Sequence, residues 1–313
     1  MIIDLVIFLL GVGVLFVSGD LLVRSSIDFS LKLGVSPLVI GLTIIAFGTS
    51  APELLVAIKA SLDGFNGLAI GNIIGSNIAN VLLVLGAPAL IMNINNTDLA
   101  VGRNYYFMLL ATTIFVIFLL TGGISFVSGV CLIVGLVMFM GSAFLFRTSL
   151  DKGAQKFSFQ ERETIGLSGT KLTIFTIIGF CGLPLGAEIL IISATDFAQA
   201  IGMSEEVVGL TLVAVGTSLP EFATSIMAAI RREVKLLLGN VIGSNMFNIL
   251  GIAGVAALIS PLSMEEGLYL KSVSVLIICT LILIPFIFWN RSINRVVGIG
   301  FLFLYIGYIM ILT

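Results

Sequence analysis

The chain has 313 residues, 58% of them apolar and only 10% charged, with net charge −2 and a mean hydropathy of +1.21. A soluble domain carries about 25% charged residues, so this composition is that of a polytopic helical membrane protein. No basic stretch suits nucleic acid, and histidine is absent, which excludes histidine-based acid–base catalysis, Ser-His triads and histidine-ligated metals.

Apolar runs of about 20 residues, enough to cross a bilayer core, recur from end to end. Ten spans are predicted: 3–28, 36–58, 68–92, 104–122, 126–147, 171–198, 206–230, 236–260, 269–289 and 295–312. The N-terminal run "MIIDLVIFLLGVGVLFVSG" lacks the positive n-region of a cleavable signal and reads as the first span. Cys131, Cys181 and Cys279 sit inside apolar segments without metal-ligand spacing and read as small packing residues. The polar connector 148–168 is too short for a nucleotide-binding domain, and no phosphate-loop motif occurs. Work on a solute must therefore draw on another gradient.

Charge fixes the orientation. Arg24, Lys32, Arg103, Arg147, Lys152, Lys156, Arg162, Lys171, Arg231, Arg232, Lys235, Arg291 and Arg295 lie after odd-numbered spans, while only Lys59 and Lys271 lie on the other side. The positive-inside rule then places both termini on the extracellular side of the cell membrane.

The chain also repeats itself. "GLTIIAFGTSAPE" (41–53) returns as "GLTLVAVGTSLPE" (209–221), an offset of 168, with nine of thirteen residues identical. "GNIIGSNIAN" (71–80) returns as "GNVIGSNMFN" (239–248) with seven of ten identical. Weaker matches pair Gly11 with Gly179 and Asp28 with Asp196. Each copy carries five spans, and an odd number forces the second copy to enter from the opposite side. The predicted fold is all-α: ten transmembrane helices as two inverted five-helix repeats. Residues 1–147 form the first repeat, 148–168 a cytoplasmic connector and 169–313 the second. Secondary transporters with this architecture hold their solute near the midplane, where the halves meet. A merely structural duplication would not explain why the best-matched segments are the polar ones.

On a helix, Ala46, Thr49, Ser50 and Glu53 share one face. Pro52 removes an amide donor and disrupts bonding to the preceding turn, which a membrane tolerates only against protein or a hydrated cavity. Ala214, Thr217, Ser218, Pro220 and Glu221 repeat the pattern. A lone carboxylate at the midplane costs about 3 kcal/mol or more, and two facing ones repel unless protonated or bridged by cations. No Lys or Arg lies within spans 2, 3, 7 or 8 except near their ends. All-oxygen clusters suit Ca²⁺ and Na⁺ rather than soft transition metals. Asn72, Ser76 and Asn80 form one polar stripe on the third span, and Asn240, Ser244 and Asn248 another on the eighth. Gly71/Gly75 and Gly239/Gly243 form GxxxG pairs suited to close helix packing. Asn77 and Asn245, one position off each stripe, fit a helix–helix hydrogen bond as well as a site role. The acids Asp20, Asp28, Glu188 and Asp196 lie nearer span ends and suit local pairing, Asp20 with Arg24, or an access path.

With its two "GTS-x-PE" and two "GN-x-IGSN" segments, the chain resembles the cation/Ca²⁺ exchanger superfamily, in its prokaryotic Na⁺/Ca²⁺ exchanger branch, over essentially its whole length. The resemblance implies ion sites among spans 2, 3, 7 and 8, with spans 1 and 6 as a sliding pair controlling access. It makes Glu53 and Glu221 the central Ca²⁺ carboxylates, which also share Na⁺. Thr49 and Thr217 add carbonyls and hydroxyls. Ser50, Ser218, Ser76 and Ser244, with the carbonyls of Ala46 and Ala214, complete flanking Na⁺ sites, and Asn80 and Asn248 sit at the central cluster. Asparagine at both of the last positions leaves two carboxylates at the centre and argues against K⁺ co-transport. The implied activity is antiport of Na⁺ for Ca²⁺ by a monomer in the bilayer, with no cofactor and no enzymatic reaction. H⁺/Ca²⁺ antiport through the same glutamates is the alternative. The abundant Ser and Thr oxygens favour Na⁺, because a proton needs no such cage. A passive cation channel and an intramembrane enzyme are the remaining classes.

Overall fold

The structure, a computed structural model, describes residues 2–96, 98–145, 167–200, 215–263, 266–289 and 291–312. Among these residues it is all helix, with no strand. Six helices are long and apolar enough to cross a membrane, and a seventh if one bent pair counts as a single span.

Helix α1 (Ile2–Leu33) overshoots the predicted first span, as its later partner (Gly169–Ala200, α8 in chain order) overshoots the sixth. The two pack along one another in opposite directions. A Cβ on Gly11 would meet the Leu190 side chain at 3.1 Å, one on Gly179 would meet Leu22 at 2.8 Å, and one on Gly186 would touch the Leu15 backbone at 2.7 Å. Only glycine permits that approach. Gly11 and Gly179 are 168 positions apart, as are Leu22 and Leu190. The contact therefore recurs with its partners exchanged.

Ser36 caps the next helix by accepting from the Leu38 amide at 3.2 Å, and Pro37 occupies its first turn. This helix, α2 (Pro37–Thr49), contains a π-helical turn over Gly41–Ile45 and ends at Ser50, whose φ of −83° and ψ of 9° leave the helical range. α3 (Ala51–Leu62) continues at a bend of 45°. Pro52 lies in the first turn of α3, where its missing amide costs nothing. α9 (Leu219–Ile230) starts in the same way: Ser218 has φ −85° and ψ 3°, and Pro220 sits in the first turn. The predicted seventh span thus begins outside the described residues.

α4 (Asn66–Leu82) is followed by the short α5 (Pro88–Ile91), so the predicted third span is broken. α10 (Val234–Ile259) contains a second π-helical turn at Phe247–Ile252. At the equivalent place in the first copy, Val84 donates its amide to the Ala79 carbonyl at 2.9 Å, a five-residue reach of the π type. α6 (Leu99–Leu120), capped by Asp98, and α7 (Phe126–Leu145) complete the first half. α11 (Glu266–Leu281), α12 (Ile284–Phe288) and α13 (Arg295–Leu312) complete the second, Pro285 dividing the ninth predicted span. Two isolated bridges, Ile94 with Ile293 and Ile124 with Leu262, tie the halves together.

Burial sorts the helices. The most apolar stretch of α10 is 78% buried and that of α7 only 22%. The helices that carry the repeated motifs are central, and an exposed apolar surface that includes Leu55, Val137 and Val296 faces outward. One expectation needs correction. Cys279 is buried, but Cys131 and Cys181 lie on that exposed surface and fill no gap. Gly239 and Gly243 press against α2 as expected, a Cβ on Gly239 falling 2.6 Å from the Leu38 carbonyl oxygen, while the repeat-equivalent partner of Gly71 and Gly75, around 206–214, lies outside the described residues.

Candidate cation site

The helix breaks at Ser50 and Ser218 bring the two motifs together. Glu53 and Glu221, each in the first turn of the helix after a break, are 1% and 0% exposed. They lie within electrostatic reach of one another. Ser50 donates its hydroxyl to Glu221 Oε1 at 2.8 Å, joining one repeat's break to the other's carboxylate. Thr49 and Ser244 also lie beside the Glu221 carboxylate.

A symmetric frame surrounds this pair. Asn72 donates to the Glu53 carbonyl at 3.2 Å, and Asn240 to the Glu221 carbonyl at 3.5 Å. Across the repeats, Thr217 donates to Asn72 Oδ1 at 3.5 Å and Thr49 to Asn240 Oδ1 at 3.5 Å. Each asparagine holds the turn of its own glutamate and meets the threonine of the opposite repeat. Sequence reasoning placed Asn72 and Asn240 on the stripe but left them out of the site. Their identity in both copies was the available signal.

Within this frame many buried oxygens lack a protein hydrogen-bond partner. Among the described residues they are both carboxylate oxygens of Glu53, Oε2 of Glu221, the hydroxyls of Ser76, Ser218 and Ser244, Oδ1 of Asn80 and Oδ1 of Asn248, whose amide nitrogen is unpartnered as well. Buried polar groups are normally satisfied, and a buried unpaired carboxylate is costlier still. Among the described residues, no ion pair engages either glutamate.

Of the predicted site residues, the interactions above join Glu53, Glu221, Thr49, Thr217, Ser50 and Ser244. Ser76, Ser218 and Asn248 are buried on the same helices, each about one turn from a joined residue. Asn80 reaches across to Asn245, donating to its Oδ1 at 3.0 Å, while Asn77 turns back to the Ile73 carbonyl of its own helix. The carbonyl of Ala46 lies 3.4 Å from the Thr49 hydroxyl. Ala214 lies outside the described residues. In the acidic set, Asp20 pairs with Arg24 at 2.8 Å and with Arg231, and Asp28 accepts from the Leu167 amide at 2.8 Å. Glu188 is exposed, and the side chain of Asp196 lies outside what is described.

Comparison with known proteins places this architecture. The family described as sodium/calcium exchanger protein matches residues 3–160 and 171–313. The chain belongs to this exchanger family. Sodium/calcium exchanger MaX1 of Methanosarcina acetivorans is 33% identical, the match covering 99% of this chain and 98% of MaX1. Inner membrane protein YrbG of Escherichia coli is 32% identical over 94% of this chain and 92% of its own length. A solved structure of the sodium-calcium exchanger NCX_Mj superposes on this exchanger with a TM-score of 0.85 and 35% identity, covering 100% of this chain and 99% of that one, and others of NCX_Mj follow closely. Crystals of NCX_Mj soaked with Na⁺ and Ca²⁺ are among them. Members of the family are cation/Ca²⁺ transporters, and this exchanger is a multi-pass membrane protein of the same fold.

Proposed function

We propose that this exchanger is a secondary antiporter that trades Na⁺ for Ca²⁺ by alternating access, through one midplane site centred on Glu53 and Glu221. The observation that carries the reading is the pair of repeat-equivalent carboxylates buried within electrostatic reach and ringed by unpartnered oxygens, with no described cationic side chain beside them. Two negative charges neutralise one Ca²⁺, and the surrounding hydroxyl, amide and carbonyl oxygens match hard-cation ligation. Thr49, Thr217, Ser50, Ser218, Ser76, Ser244, Asn80 and Asn248, with the carbonyls of Ala46 and Ala214, complete the proposed ligand set.

The proposed architecture is ten helices in two inverted repeats, 1–147 and 169–313, with both termini extracellular. The antiparallel α1–α8 contact with exchanged partners supports it, as do the matched breaks at Ser50 and Ser218 and the matched π turns. In such a fold the closed side of one repeat becomes the closed side of the other as the protein turns over.

H⁺/Ca²⁺ antiport has one observation in its favour: uncompensated buried carboxylates can be neutralised by protons as well as by cations. Ca²⁺ uptake into proteoliposomes separates the readings. An outward Na⁺ gradient should drive uptake and a pH gradient alone should not. Uptake that follows the pH gradient and ignores Na⁺ would replace Na⁺ with H⁺. Flux that needs no counter-ion would mark a channel.

A further inference from the structure

The two asparagines that hold the glutamate turns are not held alike. Asn72 gives its amide nitrogen to one acceptor, the Glu53 carbonyl at 3.2 Å. The Asn240 nitrogen has three acceptors in range of its two protons: Thr224 Oγ1 at 3.2 Å, Ser225 Oγ at 3.2 Å and the Glu221 carbonyl at 3.5 Å. The difference lies in the sequence. At the offset of 168, Thr224 and Ser225 correspond to Val56 and Ala57, which have no hydroxyl. Thr224 and Ser225 are 2% and 0% exposed, so bulk solvent does not reach them.

Proton accounting fixes the Asn240 amide. The single Thr224 hydroxyl proton goes back into its own helix, to the Pro220 carbonyl at 2.8 Å or the Glu221 carbonyl at 3.0 Å. Towards Asn240 the Thr224 oxygen can therefore only accept, and a flipped amide would set oxygen against oxygen there. The Asn240 NH₂ stays on the α9 side and Oδ1 stays facing Thr49. Thr49 also has one proton, with four acceptors around it: the Ile45 carbonyl at 3.1 Å, the Ala46 carbonyl at 3.4 Å, Asn240 Oδ1 at 3.5 Å and the Glu221 carboxylate beside it. The Ala46 carbonyl already accepts the Ser50 amide at 3.0 Å, and a fixed Oδ1 adds a place for the Thr49 proton away from Ala46, leaving that carbonyl's second lone pair to a cation.

We propose that Thr224 and Ser225 are positioning residues of the second repeat, locking the Asn240 carboxamide so that the Thr49 proton is drawn off the Ala46 carbonyl and that oxygen is presented to Na⁺. The inference rests on the Na⁺ reading above. It adds that the two halves of the cage differ, one with a locked carboxamide and one with a looser one.

The test installs the first repeat's own residues in the second. Na⁺-driven Ca²⁺ uptake by the full chain in proteoliposomes is measured for wild type, Thr224→Val/Ser225→Ala and Thr224→Ser. In the double variant, half-saturating Na⁺ should rise about fivefold, the worth of one neutral hydrogen bond, with maximal rate and half-saturating Ca²⁺ moving less than about twofold. Thr224→Ser keeps the hydroxyl and should match wild type. The proposal is overturned by an unchanged Na⁺ dependence in the double variant. It is also overturned by Thr224→Ser as impaired as the double variant, or by Na⁺, Ca²⁺ and rate parameters failing together as in a packing defect. A second measurement does not depend on transport. The side-chain ¹⁵N–¹H signal of Asn240, identified by its loss in Asn240→Asp, should shift in the double variant and persist in Thr224→Ser. An unshifted signal overturns the lock. A wild-type protein with no Na⁺-driven uptake refutes the function reading instead, and the amide signal alone then decides the positioning.

Discussion

Replacing Gly41 by alanine tests the idea that the site depends on how closely α2 approaches α10. A Cβ at Gly41 would stand 2.6 Å from the Leu236 carbonyl oxygen and 3.0 Å from the Asn240 amide nitrogen, both backbone atoms that cannot swing aside. Restoring an ordinary 3.4 Å contact requires the helices to part by about 0.8 Å. Thr49 and Asn240 span the same two helices at 3.5 Å, the limit for a hydrogen bond, so that separation removes their contact. Overpacking of this kind costs about 1–3 kcal/mol. Alanine's better helix propensity returns about 1 kcal/mol, leaving a net loss on the order of 1 kcal/mol. For a chain of 313 residues that corresponds to a drop in Tm of about 1–2 °C. Gly13, exposed on α1 with no atom within 4 Å of its Cβ, is the control, and Gly13→Ala should raise Tm slightly. The assay is thermal unfolding of the purified protein in detergent, paired with Ca²⁺ uptake after reconstitution. Gly41→Ala should lower both readouts and Gly13→Ala neither. A Gly41→Ala protein as stable and as active as wild type would refute the close-approach argument.

Two further outcomes follow from the same geometry. Glu53→Gln and Glu221→Gln should each abolish Ca²⁺ uptake while leaving a monodisperse, folded protein in size-exclusion chromatography; normal exchange by either would remove the central-carboxylate reading. Arg231 on the α9 side and Arg24 on α1 share Asp20, which is 18% exposed, so Asp20→Asn should destabilise by about 1 kcal/mol. Asp20→Arg and Arg231→Asp should each be worse than the two combined, and a double-mutant cycle with no coupling would show that the pair contributes nothing.

The helices were legible because apolar runs of bilayer length have few other uses. The breaks were legible too, since Pro52 and Pro220 follow Ser50 and Ser218 and a proline ends one helix as readily as it starts the next. The interruptions at 83–87 and 282–283 carry the same mark, Pro88 and Pro285 each standing in the first turn of the next helix, but there no polar motif accompanies the proline and the continuous apolar run reads as one span. The cysteines show the same limit. An apolar segment next to lipid reads like an apolar segment in a core, and only packing tells Cys279 from Cys131 and Cys181. Thr224 and Ser225 went unnoticed because a comparison of repeats rewards identity, and these two matter where the repeats differ.

By itself, the sequence determined that this chain lives in a membrane, that it is doubled, and that each copy carries one carboxylate where hydrocarbon should be. Those are facts of composition and order, and they survive any arrangement of the helices. Which residues meet is a different matter. That Ser50 serves Glu221 rather than Glu53, that the Asn240 amide has three acceptors in range and that of Asn72 one, and that Asn80 bonds Asn245 while both amide atoms of Asn248 stay unpartnered among the described residues were decided only in the tertiary structure. Two copies that share their motifs but not their neighbours form a single asymmetric object when packed together, and a hydroxyl with one proton can serve only one partner at a time.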